Sequence, residues 1–159
     1  MSKGISATPA VRILKEQKVA FTLNPYRYEE KGGTAAAAKA LNVKEHTVIK
    51  TLVMETDAKE PFLVLMHGNR KVSVKALAAS LKIKNVAPCT PEKAHKHTGY
   101  FVGGISPFGT RRPLRIYMEA SIAFLEKIYI NAGKRGLLVQ IDVKDLIRIL
   151  SPTLVNVAI

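Results

Sequence analysis

The apolar positions of this chain fall into short runs whose period changes often. Thr8-Pro9 marks a helix start, a hydroxyl N-cap followed by proline at the first helical position, and Val11 and Leu14 then give one apolar face. Val19 to Tyr28 alternates loosely, with Phe21, Leu23, Tyr26 and Tyr28, as a strand does. Gly32-Gly33-Thr34 breaks the chain and caps an alanine-rich helix, Ala35 to Leu41, that ends at Asn42. Thr47 to Met54 and Pro61 to Met66 read as strands joined by a polar turn around Asp57. Ser73 caps a helix carrying Leu77 and Leu81, Val86 opens a short strand, and Thr90-Pro91 starts a short helix that stops before Gly99. Further on, Leu114 to Met118, Lys127 to Asn131 and Leu137 to Ile141 read as strands. A helix is predicted between Ala120 and Glu126, and Asp142 caps another running to Leu150.

Short strands interleaved with short helices, without a regular βαβ spacing, predict a mixed, mostly antiparallel sheet flanked by short helices. We find no repeat, linker or low-complexity tract, so one compact α/β domain is expected over residues 1–159. A chain of this length can bury a sizeable core, and 47% hydrophobic with 23% charged residues is a globular composition. Met1-Ser2-Lys3-Gly4 leads into the helix signal without an apolar targeting stretch, and no run is long enough to span a bilayer. A cytoplasmic location without membrane attachment is the expectation. Cys89 stands alone, and His95 and His97 lack companions at zinc spacing, so neither a disulfide nor a metal is expected.

Charge changes the picture more. The net charge is +13, and it is uneven. Between Pro61 and Met118 only Glu92 is acidic, against Arg70, Lys71, Lys75, Lys82, Lys84, Lys93, Lys96, Arg111, Arg112 and Arg115. Such a field attracts polyanions and favours nucleic acid over a purely solubilising role. No basic amphipathic helix with a bulky apolar face points to a membrane instead.

Two glycine-rich segments carry the candidate chemistry. Thr98-Gly99-Tyr100-Phe101-Val102-Gly103-Gly104-Ile105-Ser106-Pro107-Phe108-Gly109 combines a glycine pair, a hydroxyl and a proline turn. Backbone N–H groups in such a loop can meet an anion or a developing oxyanion, although Gly-Gly turns also merely connect strands. Asn131-Ala132-Gly133-Lys134-Arg135-Gly136 has the same character with two cations, a phosphate contact or a solvated hairpin turn. Lys50 shares a strand face with Val48 and Leu52. It either snorkels to water from an edge strand or lines a cleft where its ammonium needs an acceptor. Ser106 has no visible base and reads as a hydrogen-bonding group rather than a triad nucleophile. Cys89 reads as structural. Tyr26 and Tyr28 offer aromatic faces that can stack a base or sit in the core.

Taken together, these residues resemble the YbaK family of aminoacyl-tRNA deacylases, also known as cysteinyl-tRNA(Pro) deacylases. The resemblance rests on Thr8-Pro9-Ala10-Val11, Lys50-Thr51-Leu52, the long Thr98 to Pro107 segment and Gly133-Lys134-Arg135-Gly136, and so spans nearly the whole chain. It implies the fold of the editing domain inserted in bacterial prolyl-tRNA synthetases, and a trans-editing activity on mischarged tRNA(Pro) with no cofactor. Prolyl-tRNA synthetase is the implied partner. Lys50 matches the family's essential lysine, Tyr26 a pocket tyrosine, and Gly103-Gly104-Ile105-Ser106-Pro107 the glycine loop. The resemblance thus places Lys50, Gly103 and Gly104 in catalysis. It places Tyr26, Thr51, Thr98, Gly99, Ile105, Ser106, Pro107, Asn131 and Gly133 around the aminoacyl group. Arg70, Arg111, Arg112, Lys134 and Arg135 would meet tRNA phosphates. Two departures bear on amino-acid specificity: Asn131 stands where the family often has serine, and Glu30 to Ala37 is alanine-rich where an aromatic residue is common. In the cysteine-specific members the substrate thiol attacks its own carbonyl, which suits a chain without an evident nucleophile. The alternatives are water-mediated hydrolysis of alanyl-tRNA(Pro) or another mischarged species, and a tRNA- or synthetase-binding module without catalysis.

Overall fold

A computed structural model describes residues 7–159; the start of the chain at Met1-Ser2-Lys3-Gly4 lies outside the described residues. The elements run α1 (Pro9–Glu16), β1 (Phe21–Pro25), α2 (Gly33–Leu41), β2 (Val48–Thr56), β3 (Pro61–His67), α3 (Val74–Leu81), β4 (Val86–Pro88), α4 (Pro91–Thr98), β5 (Arg115–Glu119), β6 (Lys127–Lys134), β7 (Leu137–Asp142), α5 (Val143–Leu150) and β8 (Thr153–Val155). Caps set several boundaries. The hydroxyls of Thr8, Ser73 and Thr90 accept from the N–H groups of Val11, Ala76 and Lys93. Asn42 and Lys82 close α2 and α3 in the left-handed conformation.

The strands form one mixed sheet in the order β1-β7-β6-β2-β3-β5-β8, with β4 added to β2. The pairs β1–β7, β2–β3, β2–β4 and β6–β7 are antiparallel; β2–β6, β3–β5 and β5–β8 are parallel. The mixed, mostly antiparallel α/β architecture expected from the pattern is the one observed. Both faces of its centre are covered, so Phe62 through His67 are all buried and β3 reads as a continuous apolar run rather than an alternation. On one face α1 and α5 pack Leu14 and Leu146 with Ile49, Ile130 and Val139. On the other, α2 sets Ala37 and Ala38 on Val48, and α3 sets Leu77 on Met54, Val64 and Met66.

Three details differ from the pattern reading. The helix expected between Ala120 and Glu126 is a five-residue 3-10 turn, Ala120–Phe124, with β6 starting at Lys127. Asp142 holds the N-cap position of α5, but its carboxylate makes no capping bond, because it is also the last residue of β7. Thr153–Val155, too short to show a period, adds a parallel strand beside β5.

Candidate functional site

β2 lies at the centre of the sheet, yet one of its edges is incompletely paired. It meets β6 only at Val48 and Ile49 and β4 only from Met54 to Thr56. The backbone carbonyl of Val48 accepts from Gly68 after β3, while that of Val53 accepts from Cys89 on the opposite side. Strand alternation therefore directs the N–H and C=O of Thr51 into the gap between β6 and β4. A cleft of ≈ 950 Å³ opens around this gap, lined among others by Tyr26, Tyr28, Lys50, Thr51, Gly103, Ile105, Asn131 and Arg135.

Lys50 occupies the face covered by α2 and α3, in the space between Val48 under the first and Leu52 under the second. This lysine is not on an edge strand: it is half-buried, it lines the cleft, and its Nζ donates to the carbonyl of Arg70. Burial pushes its pKa down and Lys71 adds to this, against the opposing pull of Glu45. Glu45 is itself anchored, accepting a 2.7 Å bond from the Thr34 hydroxyl. Thr51 buries its Oγ1 at the cleft wall, without a hydrogen-bond partner among the described residues. Tyr26 sits where the chain leaves β1, its N–H bound to Gly136 at 2.8 Å. Burial and then neighbouring Tyr28 hold its phenol above the usual value, against a backbone hydrogen bond from Gly136.

The glycine loop meets the β6–β7 hairpin across the cleft. Gly104 has no room for a side chain, since a Cβ there would stand 2.9 Å from the Arg135 nitrogen. Asn131 ties the two together: its Nδ2 donates to Gly103 O at 3.1 Å, and its Oδ1 accepts from the N–H groups of Gly133 and Lys134 within the bulge that interrupts β6. The Arg135 Nε donates to Val102 O at 2.9 Å, with its guanidinium 5.5 Å above the Tyr28 ring. The amide that stands in place of the family's frequent serine is thus the brace of the loop.

The segment read as one motif divides in two. Val102, Gly103 and Ile105 line the cleft, whereas Thr98, Gly99, Gly104, Ser106, Pro107 and Gly133 do not. Thr98 and Ser106 are buried; the Thr98 hydroxyl bonds Ala94 O at 2.8 Å, and the Ser106 Oγ accepts from Phe108 N. Tyr100 OH donates to Phe108 O at 2.6 Å, and burial raises its pKa to about 12. These groups fold the loop. The Gly104 N–H also bonds within the loop, to Phe101 O at 2.8 Å, and this bond closes the tight turn. The cationic candidates are dispersed. Arg135 lines the cleft, Arg70 reaches the terminal carbonyl of Ile159, and Arg111 and Arg112 lie beside α4 against Lys96 O and His97. Lys134 ends β6 at the hairpin. Cys89 lines the cleft with its thiol held above the usual pKa, by burial and then by Glu55, and stays protonated.

Sequence reading missed one cluster altogether. Buried His67 binds His46 O at 2.8 Å through Nδ1 and Ser121 Oγ at 2.7 Å through Nε2, with the His46 ring stacked on it at 3.7 Å. Spacings of 21 and 54 residues give no local signal for it.

Comparison with known proteins identifies the family. The model of the aminoacyl-tRNA editing domain matches residues 29–149, and the chain belongs to that family. It is accordingly an editing enzyme of the aminoacyl-tRNA deacylase type. A relative named as a candidate Cys-tRNA(Pro)/Cys-tRNA(Cys) deacylase, EbsC of Enterococcus faecalis, is 27% identical over 135 residues, covering 84% of this chain and 82% of that protein. The proline--tRNA ligase of Streptococcus equi subsp. zooepidemicus is 32% identical over 99 residues, 62% of this chain but 16% of the ligase. The solved structure of a candidate trans-editing enzyme for prolyl tRNA synthetase superposes with a TM-score of 0.80 at 19% identity, covering 96% of this chain and 98% of that one, and speaks for the fold. Among the described residues no helix is long and apolar enough to cross a membrane.

Proposed function

We propose that this chain removes cysteine from mischarged cysteinyl-tRNA(Pro), acting in trans beside prolyl-tRNA synthetase, with the substrate's own thiol as nucleophile. The observation that carries the reading is the half-buried Lys50 ammonium beside the open β2 edge, facing a braced glycine loop. Lys50 spends one N–H on Arg70 O, and the ammonium has two more for the terminal ribose, its phosphate or the aminoacyl carbonyl. The Thr51 N–H at the strand edge is a fixed donor for the developing oxyanion, a role the Gly104 N–H cannot share while it closes its turn. Gly103 and Ile105 shape the wall against the aminoacyl side chain.

In the step, sulfur bonds to the carbonyl carbon as the bond from that carbon to the ribose oxygen breaks. The thiol proton ends on the ribose hydroxyl, and a thiolactone leaves. An aminoacyl ester is already activated, and holding thiol and carbonyl in a reactive conformer contributes about 7 kcal/mol or more in favourable intramolecular cases. Basic residues outside the cleft read phosphates, which sets position rather than sequence, and the synthetase then supplies tRNA selection.

Single-turnover deacylation of cysteinyl-tRNA(Pro) and alanyl-tRNA(Pro) tests this. Cysteine release as thiolactone with alanine retained is the expected result. Release of alanine at a comparable rate would move the chemistry to bound water, and release of neither would overturn the reading.

A further inference from the structure

Phe101 is 64% exposed beside the cleft, and one face of its ring is covered. It stacks on His95 with centroids 4.2 Å apart and planes at 12°. The His95 ring is itself fixed, because its Nδ1 bonds Tyr100 O at 3.2 Å, and the loop behind Phe101 is closed by the bond from Gly104 N. One face of the Phe101 ring is therefore covered, and the rest of this exposed side chain meets solvent. Cations lie on the segments next to it. Lys96 follows His95 on α4, the Arg111 guanidinium reaches Lys96 O, and Arg135 is held by the carbonyl of Val102, the residue after Phe101. Val102 and Gly103 line the cleft, so the platform stands within about 7 Å of chain from the wall of the site.

A flat apolar surface with cations on the neighbouring segments fits a nucleobase carried on a phosphate backbone better than an apolar peptide, for which the charge would be idle. We propose that the open face of Phe101 stacks an unpaired base of the tRNA acceptor end and so sets how far the aminoacyl ester enters the cleft. This rests on the editing reading, which puts that ester beside Lys50. The prepaid stack of Phe101 on His95 means that little ring freedom is lost on binding. Phe101 is a positioning residue under this proposal, and the chemistry stays with the cleft.

Binding of a fluorescein-labelled ACCA tetraribonucleotide, followed by anisotropy in wild type, Phe101→Ala, Phe101→Leu and Phe101→Trp, tests the platform apart from catalysis. A stacked base is worth roughly 1–3 kcal/mol, so Phe101→Ala is expected to weaken binding roughly 5- to 150-fold, with Phe101→Trp restoring it and Phe101→Leu failing to. The same tetranucleotide with an abasic terminal residue should bind wild type and Phe101→Ala with closer affinities than the intact one does. With cysteinyl-tRNA(Pro), KM should rise in Phe101→Ala while the saturated single-turnover rate changes little. Equal tetranucleotide binding by wild type and Phe101→Ala overturns the platform, as does full rescue by leucine, which would reduce the contact to apolar packing. If tetranucleotide binding depends on Phe101 but no aminoacyl-tRNA is cleaved, the platform stands and the editing reading falls. If cleavage proceeds with an unchanged KM in Phe101→Ala, the reverse holds.

Discussion

Lys50 and His67 lie on neighbouring antiparallel strands, one residue out of register and on opposite faces, since Lys50 pairs with Met66 and Ile49 with His67. Both are polar groups inside a sheet covered by helices, and burial lowers the pKa of each. Their surroundings differ in completeness. His67 has a partner on each ring nitrogen and a stacked neighbour, and nothing about it is left for a ligand. Lys50 has one carbonyl, a cleft in front of it and an unpaired strand edge beside it. A buried polar group with its hydrogen bonds complete is a part of the core; one left short is held ready for something that arrives. The contrast predicts that altering Lys50 costs activity while altering the His67 side costs stability.

The largest effect should come from Lys50→Ala. Removing a preorganised cation from the reacting end of the substrate should slow single-turnover deacylation by about 10²- to 10³-fold. The melting temperature should stay level or rise, because the desolvation that depresses the Lys50 pKa is relieved. A mutant that keeps its activity would place the chemistry elsewhere, and one that unfolds would make Lys50 a core residue like His67.

Glu119 probes the other side. Its buried carboxylate accepts from the N–H groups of Val157 at 2.7 Å and Ala158 at 3.1 Å, which fastens the chain end after β8. Glu119→Ala leaves both donors unpartnered, and a loss of about 2–4 kcal/mol is expected from urea unfolding. Deacylation at saturating substrate, measured well below the melting temperature, should be near the wild-type rate. A drop in rate without loss of stability would contradict the division between the two regions.

Asn131 sharpens the comparison from within the site, because it joins the cleft through hydrogen bonds that are all internal. Asn131→Ala removes one of the ties between the glycine loop and the hairpin and should lower the deacylation rate by about tenfold, with a stability cost of about 1 kcal/mol. Asn131→Ser restores the small hydroxyl frequent in the family but reaches less far. Cysteine over alanine selectivity in that variant reports whether the brace also sets the pocket.

Much of the scaffold was legible in the chain, and for local reasons. Thr8-Pro9, Ser73 and Thr90-Pro91 announce their caps within four residues, and the Thr47 to Met54 and Pro61 to Met66 runs match β2 and β3 to within two residues at each end. Lys50 stood out because a cation in an apolar strand demands an acceptor. The particular acceptor, a carbonyl 20 residues away, depends on the path of the chain after β3 and left no trace in the pattern. The glycine segment showed its unusual chemistry but not its division, because whether Ser106 points into the core or the cleft is decided by tertiary packing. The roles of His67, Ser121 and Glu119 rest on contacts 21 to 54 residues apart, which no periodicity records.

The smallest expected effect concerns acid. In the unfolded chain His67 takes up a proton near its ordinary pKa of 6.5, whereas in the fold burial, assisted by His46 and Arg70, holds that pKa lower, against opposing contributions from the His46 carbonyl and Glu119. Between the two values the unfolded state binds more protons, so stability rises with pH; it is lost as pH falls from 6.5 through the folded value. One group contributes at most about 1.4 kcal/mol per pH unit across that window. His97, whose pKa is also lowered, first by burial and then by Arg112, adds a slope of the same sign. The His67 share is therefore read by difference. Urea midpoints for wild type and His67→Leu, taken from about pH 7.5 down to about 5, should converge as the wild type loses stability faster. Parallel curves would show that the fold leaves the His67 pKa at its ordinary value, and curves that draw apart as pH falls would show it raised, in which case the completeness that sets it apart from Lys50 would belong to an imidazolium rather than a neutral ring.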